Sequence, residues 1–282
     1  PAQLAQEARD EFFQAGIEDL GDPDIATTDA RSLTEAVAMV RLAAPAADVE
    51  ILLGDQTVFE AVLKALGLPR GWRMRLARTF GNAALLKETL TELSGERPMP
   101  SLAADLAKLA AKGDAAKLSK AIADEMAAKA LPVHAGRSPE EIAERLIEKT
   151  ELASVKLTKR QFAALTEFLS IREPLVAASD HLAKFAAKVD VAIDLALADF
   201  ATRAQEIARL GVDTNEVIYD AAFGRPLDYY TGLVFEIRSP QSASNPLAGG
   251  GRYDRLLTLL GAGKPIPGVG FSLWLDRLEA LS

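Results

Sequence analysis

Three short segments near the end of the chain carry residue types that bind charged or heteroaromatic small molecules. The first runs from Gly224-Arg225-Pro226-Leu227-Asp228-Tyr229-Tyr230-Thr231-Gly232 to Ile237 and sets a guanidinium ahead of two adjacent phenols. A loop arginine can hold a carboxylate or phosphate through two parallel hydrogen bonds. If Tyr229 to Arg238 is a strand, Tyr230 shares a face with Asp228, Gly232 and Val234, while Tyr229 points the other way. The same pattern also describes an ordinary hairpin with aromatic core residues. The second segment, Gly249-Gly250-Gly251-Arg252-Tyr253-Asp254, puts three glycines before an expected helix. Glycines let backbone approach a ligand and a helix N-terminus attracts anions, although a bulge or tight turn explains these residues equally. It is neither a Walker loop nor a dinucleotide fingerprint. The third, Pro267 to Leu278, reads as a strand turning directly into a terminal helix, with Trp274 near the junction. Arg277 then falls in the first or second helical turn facing the sheet, unless it is simply a surface arginine.

Other chemistries are excluded by composition. There is no cysteine and there are only two histidines, His134 and His181, so disulfides, thiol nucleophiles and cysteine-based zinc sites are ruled out together. Both histidines fall in a helix-rich region with nothing at metal-ligand spacing beside them, and no metal site is expected. A net charge of −8 argues against a phosphate-backbone partner. No apolar run approaches the roughly 20 residues of a membrane helix. The expectation is a cytoplasmic protein without a membrane partner.

The elements that position these segments fall into three zones. Residues 1–81 alternate strand-like and helix-like stretches: Glu11 to Glu18 as a strand, about Asp24 to Leu42 as a helix, Val49 to Asp55 as a buried strand, and Thr57 to Leu66 as a helix stopped by Gly67. Residues 82–210 are rich in Ala, Leu, Lys and Glu at helical spacing and predict a lobe of six or seven helices. Strand signals return over residues 211–282. Such an order is what a helical insertion within one sheet domain produces, so the outer zones are expected to share a sheet.

Taken together, the motifs resemble the catalytic domain of class II aminoacyl-tRNA synthetases, specifically histidyl-tRNA synthetases. Arg225-Pro226-Leu227-Asp228-Tyr229-Tyr230 resembles that family's histidine-recognition motif, and Gly250-Gly251-Arg252-Tyr253-Asp254 its neighbouring loop. Gly270-Phe271 through Arg277-Leu278 resembles motif 3, and Glu11 to Glu18 the second strand of motif 2. The resemblance implies an α+β fold: a mostly antiparallel sheet flanked by helices, with a helical insertion lobe. It also implies that Gln14 and Glu18 hold a ligand's α-amino group, that Tyr230 and Tyr253 recognise an imidazole with Tyr229 beside them, and that Arg225 neutralises the carboxylate. Arg277 corresponds to the arginine that binds nucleotide phosphates.

Departures from the synthetase pattern point to a noncatalytic relative. Trp274 stands where the family has a small residue, and a large ring there is expected to invade the nucleotide pocket. Motif 1 and the start of motif 2 are expected upstream of Pro1, and no anticodon-binding domain follows motif 3 before Ser282. Retained histidine-site residues with these losses resemble the regulatory subunits of short-form ATP phosphoribosyltransferases. That likeness implies no cofactor, histidine as effector ligand, a catalytic-subunit partner, self-association as a dimer and no tRNA. The alternatives are a truncated histidyl-tRNA synthetase that forms histidyl-adenylate and a stand-alone histidine sensor or scaffold.

Overall fold

The computed structural model describes residues 12–95, 103–129, 138–154, 156–225, 227, 229–240 and 246–281. His134, Pro226 and Asp228 lie outside them. The chain begins with β1 (Gln14–Leu20), α1 (Ile25–Ala43), β2 (Glu50–Asp55), α2 (Gln56–Ala65), α3 (Arg70–Thr79) and α4 (Ala83–Ser94). It continues through α5 (Ala104–Ala111), α6 (Ala115–Ala128), α7 (Pro139–Ser154), α8 (Lys159–Leu169), β3 (Arg172–Pro174), α9 (Leu175–Val189) and α10 (Asp194–Arg209). It closes with β4 (Val217–Asp220), β5 (Leu233–Arg238), β6 (Ala248–Arg252), α11 (Leu256–Leu259), β7 (Gly268–Trp274) and α12 (Leu275–Glu279).

Local chemistry sets the boundaries. Gly21, at φ +89°, ends β1, and the Asp24 carboxylate then accepts from the Thr27 N–H to cap α1. Asp55 ends β2 and caps α2 through the Val58 N–H. The strands form one seven-stranded sheet in the order β1-β7-β6-β5-β2-β4-β3. All pairs are antiparallel except β2 with β4. Both outer zones therefore share a sheet, as an insertion requires, and the fold is the mostly antiparallel α+β arrangement expected.

Register divides the sheet into two unlike faces, because directly opposed residues point the same way. One face presents Ile51, Leu53, Phe235, Ile237, Phe271 and Leu273, which join α1, α2, α9 and α10 in the main apolar core. On the other face the same register aligns Gly16, Gly249, Gly251, Gly268 and Gly270 with Glu18, Val234 and Glu236. A small cluster of Leu52, Phe223, Tyr230, Val234 and Tyr253 sits on that face.

The expected lobe over residues 82–210 contains α4 to α10, yet these helices do not share one core. Only α5, α6 and α7 build a separate cluster, around Ala110, Leu118, Ile122 and Ala143. Leu90 and Leu93 of α4, Phe168 of α8, Phe185 of α9 and Phe200 of α10 enter the main core. A buried ionic chain adds to this tie. Asp29 of α1 accepts from Arg203 Nε of α10 at 2.7 Å and from Arg252 Nε of β6 at 2.7 Å. Arg203 also pairs with Asp55.

Two local expectations are corrected. The strand predicted from Tyr229 begins only at Leu233. Thr231 N donates to the Arg252 carbonyl at 2.8 Å, and Gln56 N donates to the Gly232 carbonyl at 3.0 Å, which holds residues 229–232 as a turn before β5. The glycine run does not precede a substantial helix either. Residues 249–251 lie inside β6, paired on both sides by β5 and β7, and α11 has four residues. Consecutive glycines have no side-chain alternation from which a strand could be read.

Candidate functional site

The glycine-lined face carries most of the residues picked out from the sequence, and the missing Cβ atoms are what let them lie there. A Cβ at Gly249 would collide with the Arg225 guanidinium, at Gly251 with the Tyr230 ring, at Gly268 with the Tyr253 ring, and at Gly270 with the Glu18 carboxylate. Four of the side chains picked out from the sequence are thus laid directly on the sheet floor. The loop that delivers Arg225 needs close backbone approach too: a Cβ at Gly81, where φ is +98°, would meet the Arg225 backbone at 2.6–2.7 Å.

Arg225 is nearly buried. Its Nη1 donates to Glu236 Oε1 at 3.2 Å, its Nε has no hydrogen-bond partner among the described residues, and its guanidinium faces the Tyr230 and Trp274 rings at 6.0 and 5.8 Å. Glu236 also accepts from Arg238 Nε at 2.9 Å and Nη2 at 2.5 Å, so one buried carboxylate orients two guanidiniums. Sequence reasoning missed Glu236. Its signal was a lone charge inside the apolar run Leu233-Val234-Phe235-Glu236-Ile237.

The tyrosines form a cage. Tyr229 and Tyr230 have ring centroids 4.7 Å apart, and Tyr229 meets Tyr253 edge-on at 6.0 Å. Tyr229 therefore turns toward the same cluster as Tyr230, contrary to the strand alternation expected. The Tyr253 hydroxyl donates to Glu18. Burial raises the pKa of the Tyr230 phenol, with Arg225 partly opposing the shift. Burial and then the Glu18 carboxylate raise that of Tyr253. Both phenols stay neutral and able to donate. Gln14 is exposed at the other end of β1, opposite Trp274, and makes no hydrogen bond among the described residues.

Two guanidiniums lie near the Trp274 ring, Arg225 at 5.8 Å and Arg277 at 4.6 Å from its centroid. Arg277 Nη1 donates to the Pro246 carbonyl at 2.5 Å, and burial holds its guanidinium below the usual arginine range. His181 of α9 places Nδ1 2.7 Å from Glu173 Oε1, away from this face. No group of three or more His, Asp or Glu side chains is arranged to hold a metal among the described residues.

The sequence model of the histidyl-tRNA synthetase family matches residues 2–150 and 140–278. Over 276 residues the chain is 55% identical to the ATP phosphoribosyltransferase regulatory subunit of Mesorhizobium japonicum, covering 98% of this chain and 74% of that protein. The chain belongs to the ATP phosphoribosyltransferase regulatory subunit family. The Brucella anthropi member of that family is 51% identical over 272 residues, covering 96% of this chain and 72% of its own length. Solved structures add the fold alone. A histidyl-tRNA synthetase from a Nostoc species gives a TM-score of 0.59 at 18% identity, over 95% of this chain and 50% of that one. A Bacillus halodurans protein described as an ATP phosphoribosyltransferase regulatory subunit/histidyl-tRNA synthetase gives 0.57 at 19%, over 96% and 53%. The chain thus spans about three quarters of its regulatory-subunit relatives and about half of these structures.

Proposed function

We propose that the chain is a noncatalytic regulatory subunit of a short-form ATP phosphoribosyltransferase, and that it assembles with the catalytic subunit, activates it and relays feedback inhibition by histidine. One observation carries the reading: the glycine floor gathers Glu18, Arg225, Tyr230 and Tyr253 into a complement for histidine. Histidine needs an acceptor for its ammonium, a cation for its carboxylate and polar partners for its ring. Glu18 supplies the first, with Gln14 on the same strand face. Arg225 supplies the second, and the neutral Tyr230 and Tyr253 hydroxyls the third, with Tyr229 closing the side.

Trp274 and the inward turn of Arg277 onto the Pro246 carbonyl argue against use of Arg277 for phosphate. Loss of aminoacylation, absence of tRNA binding, a cytoplasmic location and self-association as a dimer belong to the same proposal. No described helix is long and apolar enough to cross a membrane. The test is reconstitution with a short phosphoribosyltransferase. The chain should raise its turnover and make it histidine-sensitive, and failure of both would overturn the reading.

A second reading has the match to the synthetase family in its favour: a fragment of a histidyl-tRNA synthetase that forms histidyl-adenylate. Histidine-dependent exchange of pyrophosphate into ATP separates the two. Robust exchange would establish the enzyme, and background exchange with histidine binding intact would support the regulator. A stand-alone sensor or scaffold would bind histidine without stimulating any phosphoribosyltransferase.

A further inference from the structure

A second concave site, sharing none of the pocket residues above, lies between α2, α3 and the turn that follows β6. It is a cavity of about 410 Å³ lined by Arg70, Arg73, Arg78 and Arg255, with Met74, Phe80 and Leu227 as apolar wall. Four arginines line it in a chain whose net charge is −8. Among the described residues Glu60 is the one carboxylate lining it, 3.6 Å from Arg255 and itself accepting from Gln56 Nε2 at 2.8 Å. Arg70, Arg73 and Arg78 have no carboxylate partner among the described residues, and Arg73 Nε is shut off from solvent without a hydrogen-bond acceptor.

Helix α3 sharpens the anomaly. Its apolar face, Trp72, Leu76 and Thr79, is buried, which leaves Arg70, Arg73, Met74, Ala77 and Arg78 turned to the cavity. Arg70 and Arg73 occupy its first turn, where the helix dipole disfavours cations, and no acidic residue or side-chain cap offsets them. Positive charge from the backbone and from side chains is therefore stacked at one end of a short helix. An anion placed there would meet the positive end of the helix, the buried Arg73 Nε and the other arginines that line the cavity.

We propose that this cavity binds a small molecule through a pyrophosphate or comparable oligophosphate group. Its size suits a small ligand, and two linked phosphates offer enough oxygens for several arginines at once. The apolar wall formed by Met74, Phe80 and Leu227 would pack against the organic part. This inference stands apart from the regulatory reading and does not rest on it.

The test is calorimetric titration of the chain with inorganic pyrophosphate at low salt, with inorganic phosphate as comparison. Saturable binding of pyrophosphate, tighter than phosphate, is expected. Arg70→Gln and Arg78→Gln, both at exposed positions, should each weaken it about tenfold, the scale of one charge-assisted hydrogen bond. Glu60→Gln should tighten it several-fold, a gain that damage to the fold would not produce. No saturable binding at millimolar pyrophosphate, or equal binding by all three variants and the parent, would overturn the proposal. So would an arginine-dependent affinity for duplex RNA in the absence of any for pyrophosphate.

Discussion

At the scale of single residues, the candidate pocket is governed by how Arg225 is shared. Its guanidinium is held by Glu236, which also binds Arg238, and any ligand carboxylate must compete for the charge Glu236 already engages. Glu236→Gln keeps the shape and removes the charge, leaving the nearly buried Arg225 and the half-buried Arg238 guanidiniums without their carboxylate. The ligand-free variant should lose about 1–3 kcal/mol of stability, and a bound histidine would then supply the missing counterion. Its melting temperature without histidine should therefore fall, while the shift produced by saturating histidine should exceed that of the parent. An equal shift in both proteins would show that Glu236 and the ligand do not share Arg225. The tyrosines give a pH signature. Tyr219, Tyr230 and Tyr253 have pKa values raised chiefly by burial, so the unfolded chain loses these protons first. Stability should be flat with respect to these groups below about pH 10, the ordinary tyrosine value, and fall as pH rises beyond it. Denaturant midpoints at pH 9 and 10.5 would check this, and an unchanged midpoint would contradict it. Residue types made Arg225 and the tyrosines visible in sequence, whereas the importance of Glu236 depends on which strand neighbours surround it.

At the scale of elements, β6 shows that the same residue type in one strand serves two purposes. Gly249 faces the pocket and a Cβ there meets the far end of the flexible Arg225 side chain, whereas a Cβ on Gly250 meets the Gly270 carbonyl and the Phe271 backbone. Gly249→Ala should leave a folded chain with its guanidinium displaced and histidine binding weakened at least tenfold. Gly250→Ala should strike the fold first, lowering the denaturation midpoint because backbone must move. Calorimetric titration with histidine alongside chemical denaturation distinguishes the two. The argument fails if Gly250→Ala is the milder change in stability. Three adjacent glycines carry no record of this alternation, which arises only when β5 and β7 fix the register. Strand and helix positions elsewhere were legible because Gly21, Asp24, Asp55 and Gly67 mark ends by chemistry that acts locally. The division of the helices between two cores was not legible, since Ala, Leu, Lys and Glu at helical spacing describe α6 and α10 equally well.

At the scale of the molecule, the sheet sets the tyrosine pocket on one face and the main core with α1 and α10 on the other, where Asp29 of α1 ties Arg252 of β6 to Arg203 of α10. A regulator built this way must obey linkage. If histidine binds the chain more tightly in one state of the assembly, it changes the chain's affinity for the catalytic subunit by some factor. The catalytic subunit must then change the chain's affinity for histidine by the same factor. Regulatory couplings usually correspond to about 5–150-fold, which calorimetry or fluorescence titration can resolve on both legs of the cycle. The expected outcome is equal factors different from one. Gly249→Ala should raise the histidine concentration at which the coupling appears at least tenfold while assembly itself persists, because that substitution acts on the pocket face and leaves the opposite core untouched. Two factors of one in the parent would mean that histidine bound here has no influence on the partner. A coupling whose histidine dependence is unchanged by Gly249→Ala would place the effective histidine elsewhere in the complex.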